Sequence, residues 1–268
     1  MEKSSGIYLG RYAALGASVF VLILAFAAGF FAKAYFNGST KSPATNVEVD
    51  GVTNQPQVSN LTLTQVREAF NQAIIKFGDS QRKVLFITVI DPSCPYCSIA
   101  AGKNPELNKQ AGARFTLVSD GGTYVAPIEE MKKLVDEGQA SFALLYRNGH
   151  GAGELAMKAF YCAYETGKFW PVHDLLMSSE GYDLINNTVR NDPAKVNELA
   201  VFLSPAIDQN TLKACLSSGK YDNQLDADTR IGDTLGAGGT PGFFINTQAF
   251  PGAYSFTEMQ PVVDSFLQ

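Results

Sequence analysis

Val84-Leu85-Phe86-Ile87-Thr88-Val89-Ile90-Asp91-Pro92-Ser93-Cys94-Pro95-Tyr96-Cys97 is the stretch that decides the fold. Its first half is a β-branched, uncharged apolar run, the composition of a strand covered on both faces. A short turn then leads into a Cys-x-x-Cys at the start of a helix. There the unpaired backbone N–H groups and the helix dipole favour a thiolate over a thiol. The thiolate is the species that attacks disulfides. Cys94 is therefore read as an exposed nucleophile, and Cys97, one turn deeper, as the resolving cysteine. Pro95 and Tyr96 bring neither positive charge nor a strong donor to the Cys94 sulfur. A Cys-x-x-Cys is also half of many zinc sites, which need four ligands. This chain has four cysteines, no second Cys-x-x-Cys, and two histidines, His150 and His173, far apart. No metal and no cofactor is expected.

Working outward, 268 residues with 46% hydrophobic content can hold one large domain with accessories. A net charge of −5 without a Lys/Arg cluster excludes a nucleic-acid binder and fits simple solubility. The segment Ala13–Ala32 carries no charge, and about 20 apolar residues cross the ~30 Å hydrocarbon core. Lys3 and Arg11 precede it and Lys33 follows, which fits an N-terminus-inside orientation. Ala32-Lys33-Ala34 resembles a small-x-small cleavage site. The apolar run exceeds the usual ~7–15 residues of a signal peptide, which favours an uncleaved anchor. The expected organisation is a short cytoplasmic segment (1–12), one transmembrane signal anchor (13–32), a Ser/Thr/Asn/Gly/Pro-rich tether (33–60) and an extracytoplasmic catalytic domain (61–268). An even number of cysteines suits a compartment where disulfides persist.

Within the domain, Thr62 or Thr64 caps a helix running to about Lys76, with Val66, Phe70, Ala73, Ile74 and Phe77 as its stripe. Arg114–Val118 reads as a strand, Pro127 opens a helix, and Ser141–Tyr146 is a further strand. A long helical section follows, with helices through Leu155–Tyr164, Phe169–Met177, Asp192–Phe202, Thr211–Ser217 and Leu225–Leu235. Strands return at Gly242–Asn246 and around Ala249–Tyr254, and Thr257–Leu267 is a last helix. An α/β half, a block of helices and then β-β-α describe an α/β fold with a helical insertion at about 150–236.

Near the end stands Gly238-Gly239-Thr240-Pro241-Gly242-Phe243-Phe244-Ile245-Asn246, a proline just before an apolar strand, where it costs no ladder hydrogen bond. Together with Cys94-Pro95-Tyr96-Cys97 it makes a specific pair. From Val84 to Leu267 the chain resembles the thioredoxin superfamily, and more closely its DsbA-like thiol-disulfide oxidoreductases. Phe160–Leu176 (FYCAYETGKFWPVHDLL) and Leu212–Tyr221 (LKACLSSGKY) resemble the family's insertion.

The resemblance implies a thioredoxin-like fold and a cis peptide at Thr240-Pro241 beside the cysteine pair, with the Thr240 backbone free to meet an extended substrate. It implies a monomeric enzyme, since no dimerisation module is read. That enzyme would form disulfides in reduced or unfolded exported proteins through a mixed disulfide at Cys94, and a quinone-linked membrane partner would reoxidise it. It also supports a structural disulfide between Cys162 and Cys215; as two free thiols they would pack as small hydrophobes. A reductase or isomerase on the same fold is the alternative, and a substrate-binding or chaperone module without catalysis is another. The chain departs from the family at Thr88, six positions before Cys94, where many relatives carry a buried acid. Asp91 matches the family and has two open readings, a turn former before Pro92 or a participant in catalysis. His150 reads as an exposed loop residue with a place near the site as the alternative, and His173 as structural. Phe169 and Trp170 read as core of the insertion, with a substrate-facing Trp170 as the alternative. Residues 114–139 carry no role on sequence.

Overall fold

A strand covered on both faces needs a layer on each side, and the chain supplies both. The computed structural model describes residues 57–58 and 60–268. In chain order it opens with β1 (Gln57–Val58), α1 (Leu63–Gln72), β2 (Ile75–Phe77) and β3 (Val84–Ile90). Next come α2 (Pro95–Ala101), α3 (Pro105–Gln110), α4 (Pro127–Asp136) and β4 (Ala140–Tyr146). The helical insertion holds α5 (Glu154–Glu165), α6 (Phe169–Leu176), α7 (Ser179–Asp183), a π-helical turn at Leu184–Val189, α8 (Val196–Phe202), α9 (Gln209–Ser217) and α10 (Gln224–Thr234). The hairpin β5 (Gly242–Ile245) and β6 (Gln248–Pro251) and the closing helix α11 (Phe256–Leu267) complete it.

The strands form one sheet in the order β1-β6-β5-β3-β4-β2. β4 is parallel to β3 and reaches it through α2 to α4, while β5 is antiparallel on its other side. All seven residues of β3 are buried. Leu85, Ile87 and Val89 pack against Val66, Ala69 and Phe70 of α1 and Ile231 of α10. Phe86 and Ile90 face the larger core, which includes Cys97 and Ile99 of α2 and Phe160 of α5. This two-sided burial is why the strand reads as an unbroken apolar run. The hairpin is locked to β3 by Asn246, whose positive φ of 49° turns the chain. Its Oδ1 accepts from the Leu85 N–H at 2.9 Å and its Nδ2 donates to Lys83 O at 2.9 Å.

Three expectations are corrected. The first helix ends at Gln72, because Ala73 takes an extended ψ of 139°. Ile75–Phe77 instead form β2, in register with Leu144–Phe142 of β4, so the outer edge of β4 finds backbone partners that a continued helix would deny it. Arg114–Val118 is not a strand: Ala113–Phe115 is a 3-10 turn, and Leu117 makes an isolated bridge to Tyr124. With no sheet strand alongside, this segment closes on itself through Tyr124 N to Thr116 O and Val118 N to Tyr124 O. Gln57–Val58, at the end of the segment read as tether, pair with Ala249–Gln248 of β6. The predicted span 13–32 lies outside the described residues, and among the described residues no helix is long and apolar enough to cross a membrane.

Inside the insertion, Cys162 of α5 and Cys215 of α9 are joined by a disulfide across a sequence separation of 53 residues. Replacing both with serine is expected to lower the unfolding free energy by about 4 kcal/mol, the loop-closure value for a ring of this length. Urea unfolding of the double variant against the parent measures it.

Candidate active site

β3 ends at Ile90, and the backbone turns at Asp91-Pro92-Ser93 to start α2. Cys94 is the N-cap of that helix: its own N–H donates to Asp91 O at 2.9 Å, and its carbonyl accepts from Cys97 N at 3.1 Å and Ser98 N at 3.2 Å. Pro95 occupies the first helical position, where a missing N–H costs nothing. The loop before β5 brings Thr240-Pro241 to the same place, and that peptide bond is cis. The Cys94 thiol donates to the Thr240 carbonyl at 3.4 Å. Residues 94 and 240, remote in the chain, thus meet.

Neither cysteine of the pair is bonded to another, and their environments differ. The Cys94 thiol is held down to about 6. A hydrogen bond from the Cys97 side chain is the main cause; burial opposes it; the Thr240 side chain, the Cys97 backbone N–H and the charge of His150 add to it. Burial pushes the Cys97 thiol well up, and the neighbouring Cys94 sulfur adds to the rise. One sulfur is thus built to lose its proton and the other to keep it.

The expectation of an exposed Cys94 is corrected, since the residue has no accessible surface (0%). Its cover is thin, because Pro95 and Thr240 are half-buried and Tyr96, His150 and Gly239 are exposed. The cause is convergence: the Thr240 carbonyl closes on the sulfur at the helix tip, and the loop after β4 packs against Thr240 and Asp91 beside it. Tyr182 of α7, which no sequence signal marked, lies within electrostatic reach of Cys94, and burial first and Cys94 second push its hydroxyl up.

Asp91 is wholly buried and its carboxyl accepts four hydrogen bonds. Oδ1 takes Ser93 N at 2.8 Å and Ser93 Oγ at 2.6 Å; Oδ2 takes Gly149 N and His150 N, both at 2.8 Å. It is more than a turn former, because it ties the active-site turn to the loop after β4. Two glycines permit the approach: a Cβ at Gly153 would sit 1.9 Å from Asp91 Oδ1, and one at Gly149 would sit 2.4 Å from Thr240 Oγ1. Thr88, at the position where an acid was expected from the resemblance, lies on the face of β3 shared with Phe86 and Ile90. Its buried hydroxyl has no hydrogen-bond partner among the described residues.

The remaining candidates fall elsewhere. His173 is buried, stacked on Phe160 and bonded to Asp174 Oδ1 at 3.0 Å. Trp170 belongs to an aromatic cluster with Phe77, Phe142 and Phe169. The segment after α3 sends Phe115 against Tyr96, ring centroids 5.7 Å apart. Among the described residues, no group of three or more His, Cys, Asp or Glu side chains could hold a metal ion.

Comparison with known proteins agrees with this geometry. The thioredoxin family profile matches residues 126–265. No curated protein matches the sequence. Among solved structures, BdbD from Bacillus subtilis (oxidised) is similar at a TM-score of 0.53 and 16% identity, over 81% of this chain and 98% of that one. Alpha-DsbA1 from Wolbachia pipientis is similar at 0.52 and 18%, over 72% and 89%. The catalytic domain of Proteus mirabilis ScsC is similar at 0.52 and 17%, over 77% and 99%. At these identities the likeness is one of fold.

The two shifts fix how the stability of the reduced protein varies with pH. Cys94, lowered to about 6, contributes stability that is complete above the ordinary thiol range near about 8.5 and is lost as pH falls through about 6. Cys97, raised, contributes stability that is complete below that ordinary range and lost above it. Denaturant unfolding of the dithiol form is therefore expected to show stability rising from about pH 6 to about 8.5 and declining beyond. Cys94→Ser removes the rise, and the Cys94–Cys97 disulfide form shows neither arm.

Proposed function

The chain belongs to the thioredoxin family, and from that premise we propose that it is a DsbA-like thiol-disulfide oxidoreductase that forms disulfides in exported proteins through Cys94. The observation that carries the proposal is the unequal pair: a Cys94 sulfur with a lowered pKa beside the Thr240 carbonyl, backed by a Cys97 sulfur that holds its proton.

In the oxidising direction the active form carries a Cys94–Cys97 disulfide. A substrate thiolate attacks the Cys94 sulfur, the bond between the two cysteines breaks, and Cys97 leaves and takes up a proton. A second substrate thiolate then attacks the substrate sulfur of the mixed disulfide and expels Cys94 as a thiolate. Two electrons pass from the substrate dithiol to the pair, and the substrate is left with a disulfide. The low pKa of Cys94 makes it a good leaving group in that last step. It also stabilises the reduced enzyme, which makes the disulfide the stronger oxidant. The same steps run in reverse would reduce a substrate, so the potential decides the direction.

We place residues 13–32 as the anchor and the domain outside the cytoplasm, with a quinone-linked membrane protein as the acceptor of the two electrons. The composition of the first 60 residues and the even cysteine count support that placement.

Equilibration with glutathione buffers is expected to give a potential nearer roughly −120 mV than roughly −270 mV, the values for a strong oxidant and for a reductant of this fold. Oxidation of a reduced, unfolded protein is expected to stop in Cys94→Ser. Cys97→Ser, first loaded at Cys94 as a mixed disulfide with glutathione, is expected to exchange glutathione for a substrate thiolate and to accumulate a covalent adduct with substrate that thiol reagents release. A potential at the reducing end would turn the assignment to a reductase, and wild-type protein that leaves reduced substrate untouched would sink it.

A further inference from the structure

A thiolate close beneath the surface is favoured by donors and by positive charge. The donors here are neutral: the Cys97 thiol, the Cys97 N–H and the Thr240 hydroxyl. The dipeptide Pro95-Tyr96 adds no charge, and α2 has no Lys, Arg or His over Pro95–Ala101. The turn Gly236–Pro241 has none either. On the α7 side stands Tyr182, a neutral phenol. The loop between β4 and α5 brings two basic residues, and Arg147 is engaged with Asp233. That leaves His150.

We infer that His150 is the cationic partner of the Cys94 thiolate and that Asp91 is the residue that positions it, an inference that rests on the reading of Cys94 as the nucleophile. The placement is geometric. Asp91 Oδ2 accepts the His150 N–H and the Gly149 N–H, both at 2.8 Å, from three residues before Cys94. Gly149 packs on the Thr240 side chain so closely that a Cβ would lie 2.4 Å from Thr240 Oγ1. The Thr240 carbonyl in turn is 3.4 Å from Cys94 Sγ. The loop is fastened at its far end as well, with Ala152 N on Ser93 Oγ at 3.3 Å and Gly151 O on Asn191 Nδ2 at 3.0 Å. His150 is thereby held at the mouth of the site, its side chain exposed. Its charge is the smallest of the influences that lower the Cys94 thiol, after the hydrogen bonds of Cys97 and Thr240. The buried Asp91 carboxyl directs both oxygens at donors of the two loops. The loop that carries His150 lies more than fifty residues downstream of Cys94.

The test is titration of the reduced full chain by ultraviolet thiolate absorbance, with the potential measured in glutathione buffers, for the parent, His150→Gln, His150→Lys and Asp91→Asn. His150→Gln is expected to raise the Cys94 pKa by about half a unit to one unit, and to shift the dithiol–disulfide equilibrium roughly three- to tenfold toward the disulfide. His150→Lys keeps a positive charge and is expected to retain the parent titration. Asp91→Asn is expected to move the pKa in the same direction as His150→Gln, and the two changes together to add little beyond either. A merely structural Asp91 would lower stability and leave the thiol titration in place. Unchanged titration and potential in His150→Gln, or a Lys variant that behaves as the Gln variant, overturns the inference. Unchanged titration in Asp91→Asn overturns its positioning half, and His150→Gln, a surface change, decides the rest if the Asp91 variant does not fold. Turnover of reduced substrate by the parent is scored separately, so loss of the oxidoreductase reading and loss of this charge pairing are told apart.

Discussion

A carboxyl group taken out of water must find donors in the protein or the fold bears its desolvation. Asp91 finds four, from Ser93, Gly149 and His150. Those bonds join the end of the central strand, the turn that carries the nucleophile and the loop that leads into the insertion. The glycines at 149 and 153 exist in the shape they do because this carboxyl and the Thr240 side chain occupy the space a Cβ would need. The insertion is thus attached to the α/β half at the active site itself and not only through distant packing.

The cysteine pair shows how one short helix supports two opposite acid strengths. Cys94 stands at the first N–H groups, next to a turn that donates a hydroxyl, and just beneath the surface. Cys97 lies one turn further in, among Ile99 and Ala100 of the larger core, where an anion has no solvent to face. The hydrogen bond between the two sulfurs, which lowers Cys94 and raises Cys97, together with the burial of Cys97 separates a leaving group from a proton store. The disulfide between Cys162 and Cys215 belongs to a different part of the molecule and binds α5 to α9.

How much of this was legible in the sequence depends on whether a feature is local. β3 and the Cys-x-x-Cys are contiguous, so the strand over Val84–Ile90 and the helix that starts at Cys94 stand where they were read. The turn at Thr240-Pro241 was legible as a partner only by resemblance, because nothing local says which distant residue it meets. Ile75–Phe77 continue the apolar stripe of α1 in sequence, and only the open edge of β4 makes them a strand. Arg114–Val118 have the composition of a strand and lack a neighbour to pair with. Asp91 had two readings, since its decisive donors lie 58 and 59 residues away. The burial of Cys94 was unreadable for the same reason: it results from three segments meeting.

The two walls around the nucleophile are braced unequally. On one side Arg147, Gly149, His150 and Ala152 all give their backbone N–H groups to β3 or to the turn after it. On the other side run Gly236-Ala237-Gly238-Gly239, where a Cβ at any of the three glycines would meet open space. Beside them opens a cavity of about 370 Å³ floored by Phe243, Phe244 and Phe250. The two flanks therefore differ in what they tolerate: added bulk at Gly236, Gly238 or Gly239 meets nothing, whereas at Gly149 and Gly153 it collides with Thr240 and Asp91.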